Sequence, residues 1–240
     1  MTKLNRRIWL FARRLVYGDV FRCHGVSITV PTTVDAEIRY ILARNRPYEE
    51  PELRFAQSLL HAGTHVVELG GSIGVLAAVI RGRIGPDATQ IIVEANPMLA
   101  KVCKANASQN ANPGRVQVIE AAIDYSGAAT VFFDFGHNAH TGQVAKSGVP
   151  VTTVTLTDVM RNLPEGAAAL ICDIEGAELA LFASEGAQLS RFDTIILETH
   201  PNLYPEKNAS LDEMVKQILS RGFTQADVRE DVFAFIRPAP

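Results

Sequence analysis

Between positions 64 and 80 the chain reads THVVELGGSIGVLAAVI, and no other stretch limits the fold as tightly. Residues 64–69 suit a buried strand, and residues 73–80 form an apolar run with no polar face, as expected of a buried helix. Gly70, Gly71 and Gly74 lie at the junction. A strand, a tight glycine turn and a buried helix make the opening unit of a parallel sheet covered on both faces. Such a turn is also a cradle, because glycines let a ligand approach the main chain and the first N–H groups of a helix have no partner inside it.

The chain beyond it keeps the same alternation. Strand-like runs fall at 90–93, 116–119, 129–134, 151–156, 168–172 and 194–197, and helical runs at 97–110, from 157, at 177–189 and at 211–221. Runs at 223–225 and 232–236 are joined by a connection too short for a helical crossover, which predicts an antiparallel pair at the end of the sheet. The expected fold class is therefore α/β, a Rossmann-like, mostly parallel sheet. Residues 1–60 read differently. A basic amphipathic helix over 3–16 is followed by a hairpin of 20–23 and 26–30, a helix over 36–43, and another opening near Pro51 and closed by Gly63. This segment is expected to be a cap or lid, 1–60, on a ligand-binding domain spanning 61–240.

Composition narrows the partners. The formal net charge is −3 with no long run of one sign, so binding along a nucleic-acid backbone is not expected. Cys23, Cys103 and Cys172 are scattered, in neither a disulfide nor a zinc pattern. With no signal peptide and no apolar run of about 18 residues, the expectation is a cytoplasmic protein without a transmembrane segment. In the 3–16 segment Trp9 and Phe11 sit among arginines. Docking on the protein itself or on a partner chain is preferred, with peripheral membrane contact as the weaker alternative.

Open α/β sheets bind ligands beyond the carboxyl ends of their strands. Those ends carry Glu68, Glu94, Glu120, Asp173 with Glu175, and Glu198 with His200. A dinucleotide fingerprint counted from Gly70 requires glycines at 72 and 75, where the chain has Ser72 and Val75. What stands there is E-x-G-x-x-x-G: Glu68, Gly70 and Gly74. A carboxylate before the turn would repel a pyrophosphate but suits the ammonium of an amino-acid ligand. S-adenosylmethionine carries that ammonium and no phosphate. Glu94 follows the turn by about 20 residues, the place from which an acid accepts both hydroxyls of a ribose. Helix–strand packing alone would also explain the glycines. Their combination with two glutamates favours a nucleoside.

With these residues in view, the sequence resembles the FkbM-type branch of the Rossmann-like S-adenosylmethionine-dependent methyltransferases. The matching stretches are ELGGSIG (68–74), VEANP (93–97), AAID (121–124), ICDIEGAE (171–178) and ILETH (196–200), within a resemblance running from about 45 to 236. The D-x-E-G-x-E element is its most specific part. The chain has Glu68 where Asp is common and Ser72 where Asn or His is frequent; both replacements keep polarity. The resemblance implies a seven-stranded sheet with an antiparallel last strand, and methyl transfer to a hydroxyl of a small molecule or sugar. It implies Glu68, Gly70 and Gly74 around the methionine half of the cofactor, Glu94 on the ribose, and Ala122 with Ile123 beside the adenine. Gly71, Ser72 and Ala95 count with them as cofactor-binding residues. Asp173 falls where the acceptor meets the methyl group, and Gly176 allows a turn into the next helix. Glu178 has a structural reading, holding that turn, as good as a functional one.

Alkylating an alcohol needs its proton removed as the bond forms, and a positioned base typically contributes a factor of about 10² to 10⁴. Asp173 or His200 is the expected base, with Glu175 as a third catalytic candidate. Asp173, Glu175, Glu198 and His200 could together gather a divalent cation, but their spacing is no metal signature and a metal is not favoured. His137 and His140 belong to a loop at 136–148 that either covers the acceptor or is simply solvated. The alternatives to O-methylation are N-methylation, a non-catalytic nucleoside-binding module, and a nicotinamide oxidoreductase, which the glycine spacing disfavours. No motif names the acceptor.

Overall fold

The computed structural model describes residues 3–134, 143–145, 147–206 and 208–238. Helix α1 (Lys3–Tyr17) leads into the hairpin β1 (Val20–Cys23) and β2 (Val26–Thr29), then α2 (Ala36–Ala43) and α3 (Glu50–Leu59). The main sheet begins with β3 (His65–Leu69), α4 (Val75–Ile84), β4 (Gln90–Glu94), α5 (Pro97–Ala107) and β5 (Val116–Glu120). A smaller sheet follows, made of β6 (Ala122–Ile123), β7 (Thr130–Asp134), β8 (Gln143–Ala145) and β9 (Val149–Val154). The chain then returns through α6 (Leu156–Met160), β10 (Ala168–Cys172), α7 (Glu178–Ser184), β11 (Thr194–Glu198), α8 (Asn208–Ser220), β12 (Thr224–Arg229) and β13 (Val232–Ile236).

The main sheet has seven strands in the order β12–β13–β11–β10–β3–β4–β5. Its pairs are parallel except the two made by β13, which runs antiparallel to β11 and β12. Strands β4 and β10 are buried along their whole length and β3 in all but its first residue, as near-continuous apolar runs must be when helices cover both faces. Side chains alternate between two cores. Val66, Ala169, Ile171 and Ile196 face the layer of α3, α4 and the hairpin; Val67, Leu69, Leu170, Cys172 and Leu197 face that of α6, α7 and α8.

Residues 20–60 thus pack on the face that α4 covers. Asn106, wholly buried on α5, stitches them down: its Nδ2 donates to the Ile73 and Thr29 carbonyls, and its Oδ1 accepts from the Thr29 N–H. The strand order reverses between β3 and β10, where the chain first turned outward to β4 and β5 and later resumed on the other side. That crevice is where a doubly wound sheet opens for a ligand. Pairing of Leu69 with Cys172 brings the two strand tips level.

Two expectations change. The helix expected over 177–189 ends at Ser184, and a separate 3-10 turn, Gln188–Arg191, follows. The strand-like runs near 129–134 and 151–156, which the sequence does not number among the core strands, pair with each other antiparallel outside the main sheet. Part of the loop expected at 136–148 is strand β8, paired to β7; His137 and His140 lie outside the described residues. No helix among the described residues is long and apolar enough to cross a membrane.

Candidate active site

The glycine turn is tightly wedged. A Cβ on Gly70 would lie 1.8 Å from the Asp173 carbonyl oxygen, one on Gly71 2.4 Å from Ile92 Cγ2, and one on Gly74 2.9 Å from Cys103 Cα. Gly70 and Gly74 also hold left-handed backbones, φ 94° and 77°. All three glycines are therefore required by packing against β10, β4 and α5. Ser72, between them, is left-handed too, and its N–H donates to Glu94 Oε2 at 2.7 Å. Asn96 N–H reaches Glu94 Oε1 at the same distance. Glu94 thus pins the turn to the tip of β4, and each of its oxygens has the capacity to accept a second hydrogen bond. Burial pushes this carboxyl up to about 7.

Glu68 is 1% exposed and accepts from Gln90 Nε2 at 3.1 Å. Burial lifts it to about 8, against the pull of that bond and with help from the charges of Glu49 and Glu94. Ala95 is half-buried just past β4. Ala122 and Ile123 turn their side chains into two different hydrophobic clusters.

Across the crevice, the tips of β10 and β11 meet. Glu178, with no exposure, receives the Gly176 N–H at 3.1 Å, the Tyr204 hydroxyl at 3.2 Å and the Nδ1 of His200 at 2.9 Å. It holds the turn, and it also orients the histidine. His200 Nε2 faces Glu175 Oε2 at 3.5 Å, Asp173 Oδ1 at 3.6 Å and Glu198 Oε1 at 4.0 Å. Burial opposes a charge on the ring, but the Glu178 hydrogen bond and the charges of Glu178, Asp173 and Glu175 outweigh it and carry His200 up to about 9. Asp173 Oδ1 is buried without a hydrogen-bond partner. Burial and the charge of Glu198 push this carboxyl well above its ordinary range, with the His200 charge pulling the other way. Ligand atoms of Asp173, Glu175 and His200 lie within 4.8 Å of one another, close enough to hold a divalent cation. Glu198 stands at the edge of this trio.

Three residues that the sequence reading did not single out also enter the crevice, Tyr48 and Glu49 from the segment between α2 and α3 and Glu52 from the first turn of α3. Glu49 takes a left-handed backbone, φ 51°, ahead of α3. Burial first, then the charge of Asp173, raise its carboxyl to about 8, against the pull of the Tyr48 hydroxyl and the Leu76 backbone. The Tyr48 oxygen lies 3.4 Å from Ser72 Oγ. Glu52, 4% exposed, neighbours Glu198, and burial lifts its carboxyl above the ordinary range. Burial first, then Glu52, hold Glu198 at about 8. The only signal in the sequence was the acid-rich string Tyr48-Glu49-Glu50-Pro51-Glu52.

A parallel sheet with one reversed strand next to its edge, opening at its switch point into a phosphate-repelling, cation-seeking crevice, defines a Rossmann-like S-adenosylmethionine-dependent methyltransferase. The family model described as the methyltransferase FkbM domain matches residues 68–224, more than half of the chain. This chain belongs to the FkbM methyltransferase family. Among solved structures it is similar to *Aeropyrum pernix* fibrillarin in complex with natively bound S-adenosyl-L-methionine, at 14% identity over 78% of this chain and 72% of that one, TM-score 0.46. It is similar also to a methyltransferase from *Pyrococcus furiosus*, at 10% identity over 99% and 98%, TM-score 0.47. A third is a putative rRNA-methylase from *Clostridium thermocellum*, at 10% identity over 79% and 94%, TM-score 0.48. No curated protein matches the sequence.

Proposed function

We propose that this methyltransferase acts on a hydroxyl of a small molecule or sugar, and that Asp173 takes the hydroxyl proton. The observation that carries the reading is the Asp173–His200–Glu178 array at the tips of β10 and β11. The crevice also suits the cofactor: Glu49 feels the charges of Asp173 and Glu198, Glu68 that of Glu49, His200 is the cationic neighbour of Asp173, Glu175 and Glu198, and Asp173 Oδ1 is buried and unpartnered. A ligand bearing an ammonium and a sulfonium relieves that crowding.

When bound, S-adenosylmethionine supplies an electrophilic methyl group. Glu49 and Glu68 receive its ammonium, Glu94 the ribose hydroxyls through its remaining lone pairs, and Ala95, Ala122 and Ile123 border the base. Asp173 is the better proton acceptor of the two candidates. A ring lifted to about 9 is already protonated at neutral pH. Its positive charge opposes the rise that burial and Glu198 impose on Asp173, and an unusually basic carboxylate faces the acceptor. Glu178 and Glu175 fix the ring in that attitude. In this reading the His200 proton, rather than a divalent ion, supplies the local positive charge.

The surplus of acid supports one second reading, an amine acceptor drawn in as its ammonium. Incubation with methyl-¹³C cofactor and a metabolite extract separates the two. A labelled methoxy carbon in the product supports the hydroxyl reading; a labelled N-methyl carbon assigns the amine.

A further inference from the structure

Helix α1 has two faces, and only one is used by the fold. Inward, Leu10 is 4% exposed and Trp9 packs edge-on against Tyr40 of α2, ring centroids 5.7 Å apart. Outward, Ile8, Phe11 and Leu15 recur at helical spacing and are 60%, 65% and 75% exposed, with Val16, Tyr17 and Val20 continuing the apolar strip. Anchoring on α2 does not require this outer ladder, and exposed apolar strips of this kind mark a contact surface.

Beside the ladder a cavity of about 590 Å³ opens between α1 and α2. Four arginines line it, Arg6, Arg7, Arg14 and Arg39, against two acids, Asp35 and Glu37; Phe11 of the ladder lines it as well. Arg39 is 6% exposed and its Nε has no hydrogen-bond partner, a buried donor waiting for an acceptor; the Arg6 Nε is in the same state. Their other nitrogens are engaged, Arg6 with Glu37 at 3.1 Å and Arg39 with Asp19 at 2.8 Å, and Arg14 pairs with Asp19 at 2.9 Å.

We infer that α1 docks this protein on an anionic lipid surface, with a headgroup phosphate entering the arginine-lined cavity while Ile8, Phe11 and Leu15 enter the acyl boundary. Charge selects this occupant. Residues 3–17 hold Lys3, Arg6, Arg7, Arg13 and Arg14 and no acid. A second copy packed face to face would set these charges against an identical set. An anionic interface instead accepts the arginines at headgroup level and the ladder about 5–10 Å deeper. The inference stands apart from the methyl-transfer reading.

The test is co-sedimentation of the full chain with phosphatidylcholine vesicles, with and without phosphatidylglycerol. Binding is expected only to the anionic vesicles and should weaken as salt rises. It should fall about tenfold or more in Arg7→Glu, and likewise in Phe11→Ser combined with Leu15→Ser. Both variants change exposed side chains, and an unchanged thermal midpoint shows that they are folded. Three results would overturn the inference. The first is failure of the wild type to sediment with anionic vesicles. The second is calorimetric binding of inorganic phosphate without vesicle binding, which makes the cavity a free-anion site. The third is a dimer in sedimentation velocity, lost in the Phe11/Leu15 double variant, without vesicle binding, which gives the ladder to a second copy.

Discussion

The Nδ1 of His200 lies 2.9 Å from Oε1 of Glu178, a carboxylate wholly shut off from water. Because Glu178 also receives a backbone N–H and the Tyr204 hydroxyl, it acts purely as an acceptor, so the Nδ1 must carry hydrogen and the Nε2 is the atom turned to Asp173 and Glu175. Glu178→Ala strands these buried donors and should cost about 3–5 kcal/mol in urea denaturation. Glu178→Gln keeps the side chain's size and loses its charge. In that variant the His200 ring should titrate well below about 9 when followed by NMR; an unmoved ring would mean that Glu178 does not set its charge.

Glu49 is predicted to hold the amino-acid end of the cofactor. Glu49→Gln should weaken S-adenosylhomocysteine by about ten- to a hundredfold, the worth of one charge-assisted hydrogen bond, and leave methylthioadenosine, which lacks that end, unchanged. Calorimetry with both ligands distinguishes this from general damage, in which the two would weaken together.

Stability should fall with rising pH. Glu94 sits at about 7, Glu49, Glu68 and Glu198 at about 8, and His200 at about 9, each above its ordinary value. The folded state therefore holds more protons than the unfolded chain across this window, and stability present at low pH is lost as pH passes through the folded values. The thermal midpoint of the ligand-free protein should drop between about pH 6 and pH 9. Binding of the cationic cofactor should release protons, read as a buffer-dependent binding enthalpy.

Much of this architecture could be read from the residues, for physical reasons. A doubly buried strand such as β10 is a continuous apolar run, and the acids near the strand tips, Glu68, Glu94 and Asp173, announce themselves. The second sheet left no comparable mark, because β7 is exposed at alternate positions and nothing local says which strand it joins. The end of α7 was hidden in an alanine-rich run. Glu185 there turns to the Thr157 N–H and hydroxyl, and Gly186 lies so close to Arg221 that a Cβ would meet its Nη2 at 2.6 Å. Glu49 was illegible for another reason. Acids ahead of a helix are expected from its dipole, and Glu50, paired with Arg54, behaves that way. Nothing in the sequence shows that the preceding glutamate adopts a left-handed backbone and turns inward.

Chelation should leave turnover intact. Asp173, Glu175 and His200 are close enough to hold a cation, yet the protonated ring already provides the charge that an ion would. Activity lost in chelator and restored by magnesium would instead make these three side chains metal ligands.

The central claim is that Asp173 accepts the acceptor's proton, and single-turnover methyl transfer by Asp173→Asn tests it most directly. The account predicts a rate lower by about 10² to 10⁴ with S-adenosylhomocysteine affinity little changed. Transfer at the wild-type rate by that variant, to the same hydroxyl, would contradict it.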